Sequence, residues 1–292
     1  MCYYTLFMQK HKLFLIISRA AAICLTFAIV VFFLFIYPNQ PLAKVFLYHS
    51  VTNQEVNDQP DIGVKLFERQ LDYLSKHGYE TVFLSTVAYK YNVEKKVPAN
   101  WVVLTFDGGN EDFYTNVYPL LKKYKMKATL FVVTSLIGDA FVTWDQLKEM
   151  KASGLVEIGS HSQNHLAATC ASLEEIKKDT IGSKAILEEH LGGKVLVYAY
   201  PFGAVNAQAE AVAKAAGYTG AVGIAYRLWE FKLNDVYNMH RIYVCEQARF
   251  PLMFRFMLSG YYVPTREFAL RVLNIKTPRD AADCRPQTIT HD

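Results

Sequence analysis

Four short motifs carry residue types that could form a catalytic site. Asp107 lies in Thr-Phe-Asp-Gly-Gly, where two glycines after an acid allow a sharp turn and close approach of a ligand. His161 and His165 are four residues apart in His-Ser-Gln-Asn-His, and at the start of a helix both imidazoles could reach one metal ion. His49 lies in Tyr-His-Ser, and Tyr200 begins a Tyr-Pro-Phe-Gly turn. Each motif alone is weak evidence for a site.

The elements around these motifs alternate short apolar runs with amphipathic stretches. The apolar runs cover residues 45–48, 81–84, 101–105, 128–133, 156–159, 195–198 and 220–222. Near-continuously apolar strands separated by helices are typical of a parallel sheet covered on both faces. About seven such units predict an α/β fold, a distorted (β/α)7-type barrel. An open doubly wound sheet is the alternative.

The placement of the motifs gives them joint weight. Asp107 follows the run 101–105, and the two histidines follow the run 156–159. His49 and the Tyr-Pro-Phe-Gly turn each follow a run of their own. In both candidate architectures, catalytic groups lie on loops after the carboxyl ends of strands. The sequence therefore predicts that the four motifs share one cleft.

The N-terminal region is apolar enough to cross a membrane. Residues 20–37 form a stretch of about eighteen residues whose only polar member is Thr26. Lys10, Lys12 and Arg19 lie on its N-terminal side, which predicts that residues 1–12 are cytoplasmic. A buried core helix and a cleaved signal peptide are the alternatives.

These features predict a domain organisation. We expect a cytoplasmic segment 1–12, a transmembrane signal anchor 13–37, a linker 38–44, a domain 45–245, and a C-terminal helix and polar tail 246–292. The protein would then lie in the cell membrane as a single-pass protein, with its domain extracellular.

Composition excludes several classes of protein. The chain is 52% hydrophobic and 20% charged, which excludes a disordered protein. Its net charge of +4 is too small to indicate a nucleic-acid partner, and we expect none. Five cysteines are too scattered to predict a disulfide framework or a zinc knuckle, although one pair could bridge. The sequence lacks the Gly-x-Ser-x-Gly elbow of serine esterases.

The order of the motifs resembles the polysaccharide deacetylase family. This family is the nodulation chitooligosaccharide deacetylase homology domain, or carbohydrate esterase family 4. The resemblance spans about residues 45–244, with supporting segments at 118–124, 127–132 and 144–147. The Leu-Tyr-His-Ser-Val segment around His49 is similar to the branch of exported poly-N-acetylglucosamine N-deacetylases. The resemblance implies a membrane-anchored, metal-dependent hydrolase that removes acetyl groups from an extracellular N-acetylhexosamine polysaccharide, either an exopolysaccharide or the cell wall.

The resemblance also implies roles for individual residues. A divalent metal ion, most simply zinc, would be held by His161 and His165. Asp107 would be the catalytic base, and His49 the acid that protonates the leaving amine. His240 is a second candidate for that acid. The Tyr-Pro-Phe-Gly turn would bind substrate through Tyr200, Pro201, Phe202 and Gly203, with the Phe202 N–H near the oxyanion.

Arg241 would hold the base. The family often places an arginine two residues before the motif proline for this purpose, but here that position is Ala199. We therefore expect Arg241, at the end of a late strand, to take over the role.

One position departs from the family pattern. The family has Thr-Phe-Asp-Asp-Gly, and its second aspartate is a metal ligand, but here that residue is Gly108. Asp107 could turn to the metal instead, Glu111 or Asp112 could replace the missing ligand, or water could complete the shell. The remaining alternative is a catalytically degenerate deacetylase-fold protein that binds glycan or assists its assembly.

Overall fold

The strands of the main sheet are short and all parallel. They are seen in a computed structural model that describes residues 2–36, 43–53, 61–138, 140–224, 235–244 and 246–273. The strands of the main sheet are β1 (Lys44–Tyr48), β4 (Glu80–Thr81), β5 (Trp101–Gly108), β6 (Ala128–Val132), β7 (Val156–Ser160), β8 (Val197–Ala199), β9 (Gly220–Val222) and β10 (Arg241–Tyr243). Their spatial order is β10-β1-β5-β6-β7-β8-β9, and β4 pairs with the start of β5. A separate pair comprises β2 (Val51–Thr52) and β3 (Ile62–Gly63).

The sheet curves into a nearly closed barrel. The segment just before β10 pairs with β9 through a parallel bridge between Val222 and Met239. The Met239 N–H donates to Ala221 O at 3.0 Å, and the Gly223 N–H donates to Met239 O at 3.2 Å. Because β10 then pairs with β1, the two ends of the sheet approach each other. The predicted barrel is confirmed, and the open sheet is wrong.

Helices connect the strands and cover the barrel. They are α2 (Val64–Lys76), α3 (Leu84–Glu94), α4 (Tyr118–Tyr124), α5 (Trp144–Ala152), α6 (Leu173–Leu191), α7 (Ala207–Ala215), α8 (Pro251–Leu258) and α9 (Tyr262–Val272), while α1 (Cys2–Val31) precedes the barrel. The capping box at the start of α6 forms between Ser172 and Glu175, as the sequence predicts. The α8 helix packs on β1 with Phe254 and Phe46 ring centroids 5.7 Å apart.

Two predicted strands are wrong in their limits. Of the run 81–84, only Thr81 belongs to a strand, β4 (Glu80–Thr81), because α3 begins at Leu84. The N–H groups of Leu84 and Ser85 donate to Thr129 Oγ1 and Glu157 Oε2, which lie on neighbouring strands of the barrel. These distant side chains cap the helix, so the nearby sequence contains no signal for its start.

The run 195–198 begins its strand later than predicted, at Val197. The Val195 N–H donates to Glu188 Oε1 at 3.0 Å, and the Val195 carbonyl accepts from Lys184 Nζ. Both partners belong to α6, so Val195 is held by a helix and is not paired in the sheet.

Alternating residues of each strand divide the core into two layers. One set, which includes Phe46 and Phe106, packs with the apolar faces of the surrounding helices. The other set, which includes Val103, Phe131 and Ala199, fills the barrel interior. Since successive side chains of a strand point to opposite faces, residues 105 and 107 share the interior face with Val103. The side chain of Asp107 therefore lies at the end of the filled barrel interior.

The N-terminal helix extends away from this core. The α1 helix continues as a π-helical turn over Phe32–Ile36. Residues Ile16–Leu34 form a 19-residue stretch long and apolar enough to cross a membrane, and only 6% of it is buried. The alternative of a buried core helix is therefore wrong. Residues 37–42 and the polar tail after residue 273 lie outside the described residues.

Replacing Gly159 with Ala should destabilise the barrel. The new Cβ would lie 2.5 Å from Phe131 Cδ1 and 3.0 Å from Val197 Cγ2, inside a filled interior. Overpacking of this kind costs about 1–3 kcal/mol of unfolding free energy, which urea unfolding of the purified protein would measure. Gly63→Ala is the control, because nothing lies within 4 Å of its Cβ. Equal stability of the two variants would contradict the packing argument.

Candidate active site

A buried ion pair between Asp107 and Arg241 occupies the carboxyl end of the barrel interior. Arg241 Nη1 donates to Asp107 Oδ1 at 2.6 Å, and Arg241 Nη2 donates to Asp107 Oδ2 at 2.7 Å. The Arg241 Nε–H donates to Gly223 O at 3.3 Å. The sequence predicts Arg241 at the end of a strand, but in the structure it is the first residue of β10. The two-point contact holds the carboxylate in one orientation.

This pair keeps Asp107 charged. Burial alone would raise the pKa of Asp107, but the Arg241 guanidinium and the nearby His161 and His49 outweigh it and lower the pKa to about 2. Asp107 is therefore a carboxylate at neutral pH, able to accept a proton.

The two candidate metal ligands converge on the same end of the barrel. His161 Nε2 lies 3.2 Å from His165 Nε2 and 3.7 Å from Asp107 Oδ2. His161 Nδ1 donates to Ala199 O at 2.9 Å, which leaves the lone pair on Nε2. Burial lowers the pKa of both histidines, that of His165 to about 3, so both rings are neutral at neutral pH.

A loop, not a helix, brings the two rings together. The sequence predicts that His161 and His165 lie at the start of a helix, but residues 161–167 are irregular. Ser162 and His165 adopt left-handed backbone conformations, with φ of +71° and +56°. The Asn164 N–H and side-chain amide both donate to Asp179 Oδ1, at 2.8 and 3.0 Å, which fixes the loop to α6. Strained backbone held by a buried acid is typical of functional loops.

The geometry of the pair fits a divalent metal ion. Two zinc–nitrogen bonds of about 2.0–2.1 Å at a tetrahedral angle place the nitrogens about 3.3 Å apart, close to the observed 3.2 Å. The hydrogen bond from His161 to a carbonyl is the usual support of a metal-binding imidazole. Among the described residues, however, no group of three or more His, Cys, Asp or Glu side chains is arranged to hold a metal.

The acids that could replace the missing ligand differ in their surroundings. Both oxygens of Asp107 are bonded to Arg241. Asp112 Oδ2 accepts from the Ser50 hydroxyl and from the Val51 N–H, while its buried Oδ1 has no hydrogen-bond partner among the described residues, and Glu111 is exposed. The structure therefore favours neither acid as a substitute ligand, and water remains the alternative that needs no rearrangement.

His49 follows β1 and faces the same group of charges. Burial lowers the pKa of His49, Asp107 opposes this shift, and Arg241 adds to it. Its ring lies 5.7 Å from the Tyr243 ring, and its buried Nδ1 has no hydrogen-bond partner within the part of the chain that the structure describes. Since Asp112 bonds to the two residues after His49, this acid fixes the loop that carries the imidazole.

His240 belongs to a different environment. It directly precedes Arg241 in the chain, so its side chain points to the opposite face of the strand from the site. Burial lowers the pKa of His240 to about 3, and among the neighbouring charges Arg266 of α9 adds most to this shift. The structure favours His49 as the candidate acid.

The Tyr-Pro-Phe-Gly turn forms one wall of the cleft. Tyr200 is buried and its hydroxyl donates to Tyr237 O at 2.9 Å, while Pro201 and Gly203 are also buried. Phe202 is 37% exposed, and its ring lies 4.4 Å from the His165 ring. Its φ of +55° turns the side chain out of a short 3₁₀ helix. Of these four residues, Phe202 alone has an exposed side chain that contacts the candidate metal site.

Several supporting groups had no clear signal in the sequence. Asp179 and the Ala199 carbonyl orient the two histidines, but both are distant from them along the chain. The sequence indicates Asp112 only as a possible metal ligand, whereas in the structure it holds the His49 loop. Cys170 is disulfide-bonded, and its partner lies outside the described residues.

Comparison with known proteins gives consistent matches. The profile of a family described as polysaccharide deacetylase matches residues 94–221. The Bacillus subtilis protein YxkH, named as a polysaccharide deacetylase, is 30% identical over 205 residues, covering 68% of this chain and 70% of that protein. The poly-beta-1,6-N-acetyl-D-glucosamine N-deacetylase of Staphylococcus aureus is 29% identical over 217 residues, covering 70% of this chain and 74% of the relative.

Solved structures show the same similarity. The deacetylase PplD of Streptococcus pyogenes, in complex with acetate, is 28% identical with a TM-score of 0.63, and the match covers 70% of this chain and 93% of that one. IcaB from Ammonifex degensii is 26% identical with a TM-score of 0.63, and the match covers 75% of this chain and 97% of that one.

Replacing Arg241 with Met should make the fold less stable and less sensitive to acid. Loss of one partner leaves the Asp107 charge buried, which costs roughly 3–5 kcal/mol. In the wild type, the lowered pKa of Asp107 adds stability above its unfolded pKa of about 3.9 that is lost as the pH falls toward about 2. In the variant, the free energy of unfolding should not show this decrease toward acid pH, which urea unfolding across that pH range would measure. Arg255→Met, on the exposed face of α8, is the control. If the stability of Arg241→Met depended on pH in the same way as that of the wild type, Arg241 would not be the cause of the lowered pKa of Asp107.

Proposed function

This chain belongs to the polysaccharide deacetylase family of amide-bond hydrolases, and on that premise we propose that it is a membrane-anchored, metal-dependent N-deacetylase of an extracellular N-acetylhexosamine polysaccharide. The observation that supports this most is the convergence of the two neutral histidines on a charged aspartate. His161 Nε2 lies 3.2 Å from His165 Nε2 and 3.7 Å from Asp107 Oδ2. This arrangement supports the proposal, because a carboxylate and two neutral imidazoles meet at the carboxyl ends of parallel strands, where such barrels carry catalytic residues.

The metal would be held by His161 and His165. A divalent ion at this pair, most simply zinc, would polarise the acetamide carbonyl and acidify a water molecule. The two histidines can serve because they are neutral at neutral pH and because Ala199 and Asp179 fix their loop.

The remaining residues would move the protons. Asp107 accepts the proton of the attacking water, and Arg241 positions Asp107 for this step. Water oxygen adds to the acetyl carbon, the carbon–nitrogen bond breaks, and His49 protonates the leaving amine. Burial lowers the pKa of His49, so its imidazole is neutral at rest and would take up the proton that it then passes to the leaving amine; the nearby Asp107 carboxylate, which raises this pKa, favours that protonation. The products are acetate and a free amine, and PplD was solved with acetate.

Phe202 would shape the acyl side of the site. Its N–H lies in the first turn of a 3₁₀ helix, where backbone N–H groups have no partner within the helix, so it can donate to the developing oxyanion. Its exposed ring covers one side of His165 and offers an apolar surface to the acetyl group or a sugar ring.

Two features support an extracellular domain anchored by α1. The 19-residue apolar stretch has Lys10, Lys12 and Arg19 on its N-terminal side, which favours a cytoplasmic N-terminus. Cys170 is disulfide-bonded, and disulfides persist mainly in oxidising compartments outside the cytoplasm. The proposed substrate follows from the relatives named as N-deacetylases of poly-N-acetylglucosamine, and removal of its acetyl groups would give the polymer positive charge.

Deacetylation of β-1,6-linked N-acetylglucosamine oligomers tests this function directly. Amine release by the purified full chain should depend on added zinc, should stop after chelation, and should return when zinc is restored. His161→Ala should lower the rate by at least about 100-fold, because one of the two metal ligands is lost. His77→Ala, in an exposed histidine at the end of α2, is the control. Activity that survives chelation and His161→Ala would refute the metal-dependent mechanism.

The substitution Gly108→Asp tests the departure from the family pattern. An added carboxylate should tighten zinc binding and raise the rate, since a third charged ligand joins the two histidines. The backbone at Gly108 has φ of +99°, a conformation in which any side chain is strained, so the variant should also lose about 1 kcal/mol or more of stability. Gly108→Asn is the control, because it has the same shape and strain without the charge.

The outcomes separate the two functional alternatives. Tighter zinc binding in Gly108→Asp than in Gly108→Asn supports a weakened but catalytic site. If the wild type already turns over and Gly108→Asp gains neither metal affinity nor rate, water or another group already completes the shell. If neither protein deacetylates any N-acetylhexosamine polymer, the glycan-binding alternative replaces the enzyme.

A further inference from the structure

The α8 helix has an exposed apolar face that the barrel does not cover. Its inner face is buried through Phe254, Met257 and Leu258. On the outer face, Leu252 is 78% exposed and Phe256 is 38% exposed, one helical turn apart. Phe250, which precedes the helix, is 57% exposed. An exposed apolar surface of this kind on one helix indicates an interaction site.

Aromatic contacts place this face next to the end of the candidate membrane span. The Phe32 ring lies 5.4 Å from the Tyr261 ring, which directly precedes α9. The Phe256 ring lies 5.7 Å from the Tyr262 ring. Phe32 therefore connects to the exposed face of α8 through two neighbouring tyrosines.

The length of the span sets the depth of these tyrosines. Ile16–Leu34 has 19 residues, which as a helix is about 28 Å long and matches the hydrocarbon core of a bilayer. Phe32 belongs to the last turn of this span, so in a membrane that α1 crosses Tyr261 and Tyr262 would lie near the boundary between lipid tails and headgroups. Tyrosine is enriched at this boundary because its ring is apolar and its hydroxyl is polar.

The charge of the face fits the same partner. The α8 sequence Pro-Leu-Met-Phe-Arg-Phe-Met-Leu contains an arginine and no acid. Arg255 lies between the exposed Leu252 and Phe256, and the Arg249 guanidinium lies 5.0 Å from the Phe250 ring centroid. Arginine side chains at this depth interact favourably with anionic phosphate headgroups.

We propose that α8 and the start of α9 form a second membrane contact, which lies in the headgroup region of the bilayer that α1 spans. The partner is the phospholipid surface itself, with Leu252 and Phe256 inserted at the boundary and the arginines at the phosphates. This inference rests on the membrane anchoring in the proposed function, and it adds that the domain is held against the bilayer in one orientation.

Photo-crosslinking to lipid tests the contact in the full chain. The photoreactive residue p-benzoylphenylalanine replaces Leu252, Phe256, Ile181 or Leu25, one at a time, and each protein is reconstituted into nanodiscs of phosphatidylcholine and phosphatidylglycerol. Ile181 is the matched control, because it is 45% exposed on α6, which follows β7 on the other side of the sheet from β1. Leu25, within the span, reports insertion of α1. Mass spectrometry measures the lipid adducts after illumination.

We expect lipid adducts at positions 252 and 256 in at least about tenfold higher yield than at 181, and a decrease in that yield without phosphatidylglycerol. Adducts at 25 but not at 252 or 256 would overturn the second contact and leave the anchor intact. Absence of adducts at 25 would refute the anchor, and adducts at 252 or 256 to a second protein chain would replace the lipid by a protein partner.

Discussion

The buried pair of Asp107 and Arg241 is the interaction on which the site depends. A single carboxylate inside the barrel would be protonated or destabilising, because burial raises its pKa. The guanidinium reverses this effect and occupies both carboxylate oxygens. Asp107 is consequently a charged carboxylate in a fixed orientation, which suits the proposed role of base. Turning Asp107 toward a metal at the proposed histidine pair would cost it part of this contact with Arg241.

Gly108 removes a possible metal ligand, while the separation of the two imidazoles still suits a metal ion. The two imidazoles have the separation that a divalent ion requires, while the residue that would add a third ligand has no side chain. The left-handed backbone at Gly108 is a conformation that glycine adopts without strain. A two-histidine site binds metal less tightly than a three-ligand site, so under the proposed function the activity would depend on the supply of metal.

The barrel and the location of the site followed from the sequence, because parallel strands bring their carboxyl ends together. Asp107, His161 and His49 could be placed in one cleft on that basis alone. The start of α3 could not be predicted from the sequence, since its caps come from Thr129 and Glu157 on distant strands. The conformation of the loop between the histidines could not be predicted either. Its left-handed residues Ser162 and His165 flank Asn164, whose N–H donates to Asp179, and the local sequence does not encode that contact.

The position of Arg241 near the end of the domain affects how the chain folds. The residue that neutralises Asp107 is 134 positions later in the chain, and its strand, β10, pairs with the first strand of the barrel. Contacts so distant in sequence form slowly, because a long loop must close before they contribute. Until β10 is in place, Asp107 lies in an apolar interior without a counterion and β1 has an unpaired edge. A nascent or truncated chain that stops before β10 would therefore be an incomplete barrel with an exposed strand edge, which needs protection from aggregation until synthesis is nearly complete.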